Sequence, residues 1–483
     1  MSAQFSFNPD PRVAEIRRRL GHPVIDGDGH FVEVIPLVED FVRELAGESM
    51  VKRFRESPFF LSQKSNLGDV KASQRQRART FFTLPERNTL DRMTAQIPGL
   101  MRARMEEIGV DFSLLYPSLG LLMLTFPDDE VRQAVCRACN RYYAEMYAEH
   151  RDRLEPVAVI PTYSPQEAIA ELDYAIGTLG LKAAVFGAFV PRRNPDGSVW
   201  LDTLAHDSQF DYDPLWAKCV EHRVAPAFHN IGFGFGTRCS TRNYVYNHLG
   251  HFAFSQEAIC RSLFMGGVPR RFPALRFSFL EGGVGWACQL YSDIHGHYAK
   301  RNRDAVGIYD PRLFDLDLAA DLLQRFGRGR LNGHAQAYLD GARRTKAALD
   351  DAARDAATSF DDFAEARIDS AADIAAVFAR QFFFGCEADD PMNSVAFSGS
   401  LLPHGIKLNA VYASDIGHWD VPDMRDVLVE AYEPVDHGHM SAADFRQFAC
   451  GNVVRFLTDA NPDFFAGTAV ADAVRPFIAA GRA

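Results

Sequence analysis

Four short stretches of this 483-residue chain carry side chains able to bind metal ions and move protons, and each directly follows an apolar run. They are Asp26-Gly27-Asp28-Gly29-His30, His229-Asn230, Glu281-Gly282-Gly283, and Ser414-Asp415-Ile416-Gly417-His418-Trp419-Asp420. A lone histidine ending an apolar run reads as a hydrogen-bonded core residue. Four such endings do not, because buried carboxylates without partners are costly. Asp28 and His30 are two residues apart, so on an extended chain both face one side and a single cation can take both.

Other reactive side chains have plainer readings. Arg192, Arg193 and Arg242 could clamp a carboxylate through the guanidinium fork, or stand solvated at the surface. Glycines in 232–254 allow movement, and the Phe and Tyr residues there could wall an aromatic or acyl substrate. His248 and His251 are weaker candidates and stay outside the expected site. His295 and His297 sit on a predicted helix, where an H-x-H pair splays apart. Cys136 and Cys139 form a CxxC inside a helical stretch, with no second CxxC and no following histidine pair, so they read as core thiols.

The elements that must position these groups alternate in type. Eight apolar runs read as strands: 24–28, 109–118, 154–161, 182–187, 224–229, 275–281, 381–386 and 409–415. Helical stretches lie between them, one starting at a Ser164-Pro165 cap. Continuous apolar runs mark strands buried on both faces. Eight of them with intervening helices predict a (β/α)8 TIM-like barrel. An open doubly wound sheet would want a glycine-rich phosphate loop after the first strand, and none occurs. In a barrel the four endings share the carboxyl-terminal rim. Asp415 then lies beside Asp28 and His30 by closure, and His229 reaches them across the mouth. The expectation is one domain over 1–483, with a lid-like insertion at 47–108 after strand one and a helical insertion at 300–378 between strands six and seven.

Lys and Arg number 52 against 63 Asp and Glu, a balance of −11 that argues against nucleic acid and anionic membrane partners. There is no bilayer-length apolar stretch and no secretory signal, and eight cysteines are too few for a disulfide scaffold. A cytoplasmic protein is expected. The 38 phenylalanines point to an aromatic core or pocket. The apolar C-terminal region DFFAGTAVADAVRPFIAA suggests a homo-oligomer.

The pieces DGDGHFVE (26–33), GVDFSLLYP (109–117), AFHN (227–230), FPALRFSFLEGGVGW (272–286), ASDIGHWD (413–420) and GNVVRFL (451–457) together resemble the amidohydrolase superfamily. The resemblance is to its amidohydrolase-related branch, which includes metal-dependent aromatic-acid decarboxylases. Asp415 matches that family's strand-eight aspartate and His229 its strand-five histidine. Asp28 replaces the first histidine of the usual H-x-H, and Glu281 stands where a histidine often ends strand six. Lys182 begins strand four, at the wrong end for a bridging carbamate.

The resemblance implies a metal set of Asp28, His30, His229, Glu281, Asp415 and His418. Asp28, Glu281 and Asp415 bring three negative charges, so one divalent ion leaves −1 and two leave +1, with His418 and Glu33 as spare ligands. The ligand chemistry suits Zn, Mn or Fe, one or two ions per chain. The implied reaction is hydrolysis of a small carbonyl or aromatic-acid compound by water activated at the ion. Asp415 serves as ligand and base, while His418 or Glu281 donates to the leaving group or holds the oxyanion. The same ligands would serve non-oxidative decarboxylation of an aromatic acid. The carboxylate-for-histidine replacements also suit a dinuclear Mn/Fe oxygenase. A barrel without chemistry, acting as a partner subunit, is the non-enzymatic alternative.

Overall fold

The computed structural model describes residues 7–57, 87–230, 240, 243–355 and 361–481. Its strands are β1 (Ile25–Phe31), β2 (Phe112–Pro117), β3 (Leu154–Pro156), β4 (Ala158–Ile160), β5 (Ala184–Gly187), β6 (Val190–Arg193), β7 (Val199–Asp202), β8 (Pro226–His229), β9 (Phe277–Phe279), β10 (Phe382–Glu387) and β11 (Asn409–Ala413). All eight runs expected as strands contain one. The third is interrupted at Val157, so that β3 pairs with β2 and β4 pairs with β5, both in parallel.

The hydrogen-bonded order runs β1-β2-β3 and then β4-β5-β8-β9-β10-β11. Backbone just past β11 returns to β1, where Asp415 N–H donates to the Asp28 carbonyl at 3.0 Å and His30 N–H donates to the Ile416 carbonyl at 3.1 Å. These bonds close the ring, and the fold is the expected TIM barrel. The antiparallel β6–β7 hairpin is an addition the apolar runs do not predict. Its turn is Asn194-Pro195-Asp196-Gly197, where Gly197 supplies the left-handed φ of 83°.

The phenylalanines build the wall of this barrel. Phe186, Phe228, Phe279 and Phe384 stand in register on the neighbouring strands β5, β8, β9 and β10. Successive ring centroids are 6.1, 5.9 and 5.8 Å apart. Trp216, on the helix Asp213–Glu221, packs edge-on against Phe186 and Phe228. The ladder therefore faces the helical layer. Strand residues next to it in sequence, such as His229 after Phe228, turn to the other side.

The chain divides into two compact units, one of residues 1–291 with 375–483 and one of 292–374. The second holds most of the 300–378 segment and includes the helices Leu316–Phe326 and Ala335–Asp355. The 47–108 segment contains the helices Glu48–Arg55, Thr89–Thr94 and Pro98–Ile108, with 58–86 outside the described residues. Its later part is anchored by buried Arg104, which pairs with Asp91 at 2.5 Å and Glu107 at 2.7 Å. Asp91 in turn accepts from the Met424 N–H, in the loop after β11.

The C-terminal apolar stretch is used within its own unit. Phe464, Phe465, Val470, Val474 and Phe477 are buried, and the first two pack against Phe112. No helix among the described residues is long and apolar enough to cross a membrane. The seven described cysteines are free and buried, Cys136 and Cys139 among them on the helix Asp129–Met146.

Candidate metal centre

β1 is built around two glycines that must be glycine. A Cβ on Gly27 would collide with Val411 of β11, and one on Gly29 would lie 2.5 Å from Asp26 Oδ2 and 2.7 Å from Ser113 Oγ. The strand therefore fits tightly between β2 and β11, and its register with β2 shifts between Asp26 and Gly29. Two other ligand candidates sit on strained backbone just past their strands. Glu281 has φ 56° and Asp415 has φ 49°, the left-handed region that costs a non-glycine residue on the order of 1 kcal/mol or more. Such outliers concentrate where side chains are aimed for function.

Ligand atoms of His30, Glu281, Asp415 and His418 lie within 4.8 Å of one another, as do those of Asp28, His30 and His229. The structure thus brings all six sequence-predicted residues to one place, with His30 common to both groups. His30 Nε2 is 3.5 Å from Asp28 Oδ1 and 3.4 Å from Asp415 Oδ1. His229 Nε2 is 2.9 Å from Glu281 Oε2, and His418 Nδ1 is 2.6 Å from Asp415 Oδ1. The rings of His30 and His418 lie 4.0 Å apart.

These atoms are buried without neutralisation. Asp28 Oδ1, His30 Nε2, His229 Nε2, Glu281 Oε2 and both Asp415 carboxylate oxygens have no hydrogen-bond partner. Among the described residues, no lysine or arginine pairs with these carboxylates; their close ionic neighbours are histidines. His229 Nδ1 lies 2.7 Å from the Asn230 carbonyl, which can only accept, so Nδ1 carries the proton and Nε2 presents a lone pair. That lone pair faces the Glu281 carboxylate, two acceptors in contact.

Burial drives the titration of every member. It lifts the carboxyls of Asp28, Glu281 and Asp415 well above the usual range, and neighbouring carboxylates push the same way: Asp26 and Glu387 on Asp28, Glu387 and Asp420 on Glu281, Asp420 and Glu281 on Asp415. Burial also pushes the imidazoles down, His229 to about 3 and His418 to about 4, and His30 well below its ordinary value. Crowded acceptors that repel one another and neutral imidazoles with free lone pairs fit a divalent cation, which would replace the missing protons. Asp28, His30, His229 and Asp415 would hold it, with Glu281 and His418 at its edge.

Three neighbours join the expected set, of which only Asp420 lies within the four strand ends. Glu387 ends β10, one residue past the apolar run 381–386, and burial with nearby Asp420 pushes its carboxyl up to about 8. Asp420 closes the loop after β11. His248, set aside from the sequence, groups with Glu281 and Asp420 within the same 4.8 Å limit. The remaining candidates are structural. Glu33 accepts from the N–H groups of Leu119 and Gly120 and from the Tyr143 hydroxyl, so it is not a spare ligand. Lys182 donates to the Phe464 carbonyl. Arg192, on β6, is tied to Asp202, the Tyr163 carbonyl and the Tyr212 hydroxyl. Arg193 is exposed, and Arg242 lies outside the described residues.

A parallel barrel with imidazoles and carboxylates gathered at its carboxyl-terminal rim defines the class of barrel enzymes that work at the mouth. Residues 25–332 match the sequence model of the amidohydrolase family, and the chain belongs to that family. In structure it is similar to an amidohydrolase from Mycobacterium avium subsp. paratuberculosis, with 15% identity and a TM-score of 0.53 over 91% of this chain and 100% of that one. It is also similar to 5-carboxyvanillate decarboxylase from Novosphingobium aromaticivorans, solved with bound manganese, with 11% identity and a TM-score of 0.51 over 94% of this chain and 100% of that one. A further likeness is to 4-oxalomesaconate hydratase from Rhodopseudomonas palustris, with 13% identity and a TM-score of 0.47 over 91% and 97% of the two chains.

Proposed function

We propose that the protein is a metal-dependent hydrolase of small carbonyl compounds. The observation that carries this is the convergence of buried, unpartnered ligand atoms of Asp28, His30, His229, Glu281 and Asp415. A bound Mn, Zn or Fe ion supplies Lewis acidity, lowering the pKa of water and polarising a carbonyl. Asp415 accepts the proton of the attacking water. His418 Nδ1, 2.6 Å from Asp415 Oδ1, is placed to take that proton on toward the leaving group. The Ser118 hydroxyl, 2.9 Å from His418 Nε2, fixes that ring. Tyr116 and Phe252 flank His229, with centroids 6.2 and 5.8 Å from its ring, and give the site apolar walls.

Hydrolysis needs only the ion, a base and an acid. Decarboxylation of an aromatic acid would use the same ion to hold the substrate carboxylate, without help from Arg192, which is paired with Asp202. Decarboxylation stays the second reading because a fold relative of matching length is a manganese-holding decarboxylase.

The test is elemental analysis of protein expressed with Mn, Zn and Fe, followed by assay on aryl esters and amides, by carbon dioxide release from hydroxybenzoates, and by oxygen uptake. Hydrolysis with at least one bound metal per chain is expected. Carbon dioxide release without hydrolysis moves the assignment to the decarboxylase, and strict oxygen dependence moves it to the oxygenase. Less than about a tenth of an equivalent of metal refutes the site. A homo-oligomer belongs to the same proposal. Ile308, Leu313 and Phe326, exposed at 72, 69 and 73%, support it, and sedimentation as a monomer refutes it.

A further inference from the structure

From the geometry of the loops above the first cluster, we propose a second cation site formed by His248, Asp420 and Glu281, with Glu281 bridging to the first ion. The inference rests on the metal-centre reading above and goes beyond it by assigning the number of ions and the residues that hold the second.

Three observations carry it. Ligand atoms of His248, Glu281 and Asp420 fall within 4.8 Å of one another, and Glu281 also belongs to the His30, Asp415 and His418 group. A carboxylate has two oxygens, so one residue can serve two ions. Next, Asp420 Oδ1 is buried and has no hydrogen-bond partner. Glu281 is 7% exposed, and its Oε2 faces His229 of the first cluster at 2.9 Å. Finally, His248 is held in place. It ends the short helix Tyr244–His248, and its ring packs against Tyr244, Phe252 and Trp419 at 5.3, 5.3 and 5.5 Å. An aromatic box with an imidazole aimed at two carboxylates is a preorganised ligand set.

Charge favours the same conclusion. Asp28, Glu281, Asp415, Asp420 and the neighbouring Glu387 contribute five negative charges when ionised. One divalent ion leaves this enclosed mouth at −3, whereas two leave −1, so a second ion removes most of the remaining excess. The oxygen-rich set with one imidazole suits Mn, Fe or Zn.

The experiment uses the full chain loaded with Mn(II), desalted, and read by elemental analysis and electron paramagnetic resonance. Wild type is expected to hold two Mn per chain with an exchange-coupled spectrum. Asp420→Asn and His248→Gln should each hold one, with the six-line signal of isolated Mn(II). Asp28→Asn serves as the first-site control. One Mn in wild type, unchanged by either substitution, overturns the second site and leaves the first standing. Two Mn retained in both variants overturns the ligand assignment. No Mn in folded wild type overturns both readings. Two substitutions on different loops keep the test valid if one of them misfolds, with circular dichroism as the check.

Discussion

Asp26 and Asp28 lie two residues apart on β1 and are 0% and 1% exposed. Asp26 accepts four hydrogen bonds: from the Ser113 hydroxyl at 2.8 Å, the Ser414 hydroxyl at 2.7 Å, and the N–H groups of Ser414 at 3.0 Å and Asp28 at 3.2 Å. Asp28 Oδ1 accepts none. The same contrast holds between Glu33, with three donors, and Glu281, whose Oε2 has none. One set of buried acids stitches strands and a helix start together. The other is left for something that is not protein. Burial alone does not mark a site; burial without donors does.

Substitution of the paired aspartates tests this contrast most strongly. Asp28→Ala should remove the first ion and lower turnover by about 1,000-fold or more, as expected when electrostatic stabilisation at the reacting centre is lost. In chelated protein the same change should leave stability within about 1 kcal/mol of wild type, because it relieves a crowded acid. Asp26→Ala leaves two hydroxyls and two N–H groups without an acceptor and should cost roughly 5 kcal/mol. Guanidinium melts of both chelated variants, with metal analysis alongside, give the answer. Equal losses of stability would erase the distinction.

Metal addition sharpens the comparison at the site alone. An ion that binds only the folded state at about one hundred times its Kd should add roughly 3 kcal/mol to unfolding. Calorimetry of wild type with and without Mn(II) should show that gain. Asp28→Ala should lose the part due to the first ion, and Glu33→Gln should keep the whole gain. A full gain retained in Asp28→Ala would mean the first ion binds elsewhere.

The division between legible and illegible features follows from what a linear pattern can encode. Runs such as QFFFGC and NAVYA announce strands because nothing but burial on both faces suits them. Asp28, His30, His229, Glu281 and Asp415 were visible because each ends such a run, and a barrel gathers its strand ends. Glu387 was missed by one residue, since the run was closed at Cys386. Asp420 lies within a stretch already singled out, but its approach to Glu281 depends on the turn through Gly417, whose φ is 97°. His248 sits on a short helix off the barrel, and no periodicity links it to residue 420. The C-terminal tail is legible as apolar, but apolar character does not say which surface it covers. Phe464 and Phe465 meet Phe112 of β2.

Glu171 supplies an intermediate case between Asp26 and Asp28. It lies on the helix Pro165–Leu172 and accepts from Asn140 at 2.8 Å and Arg137 at 3.1 Å. Burial nonetheless pushes its carboxyl up to about 7 from 4.5, against the pull of those two partners. The folded state then holds a proton that the unfolded chain has released between those values. Its contribution to stability is full below about 4.5 and is lost as pH rises through about 7. The sign is opposite to that of a carboxylate held low by a salt bridge, such as Asp152 beside Arg102. Chelated protein should lose on the order of 2 kcal/mol from this group between pH 5 and pH 8. Glu171→Gln, which keeps one acceptor and carries no charge, should flatten that part of the profile and leave metal content unchanged. Denaturant midpoints at half-unit pH steps measure it. A variant that tracks wild type across the whole range would show that two donors suffice to keep a buried carboxylate ionised.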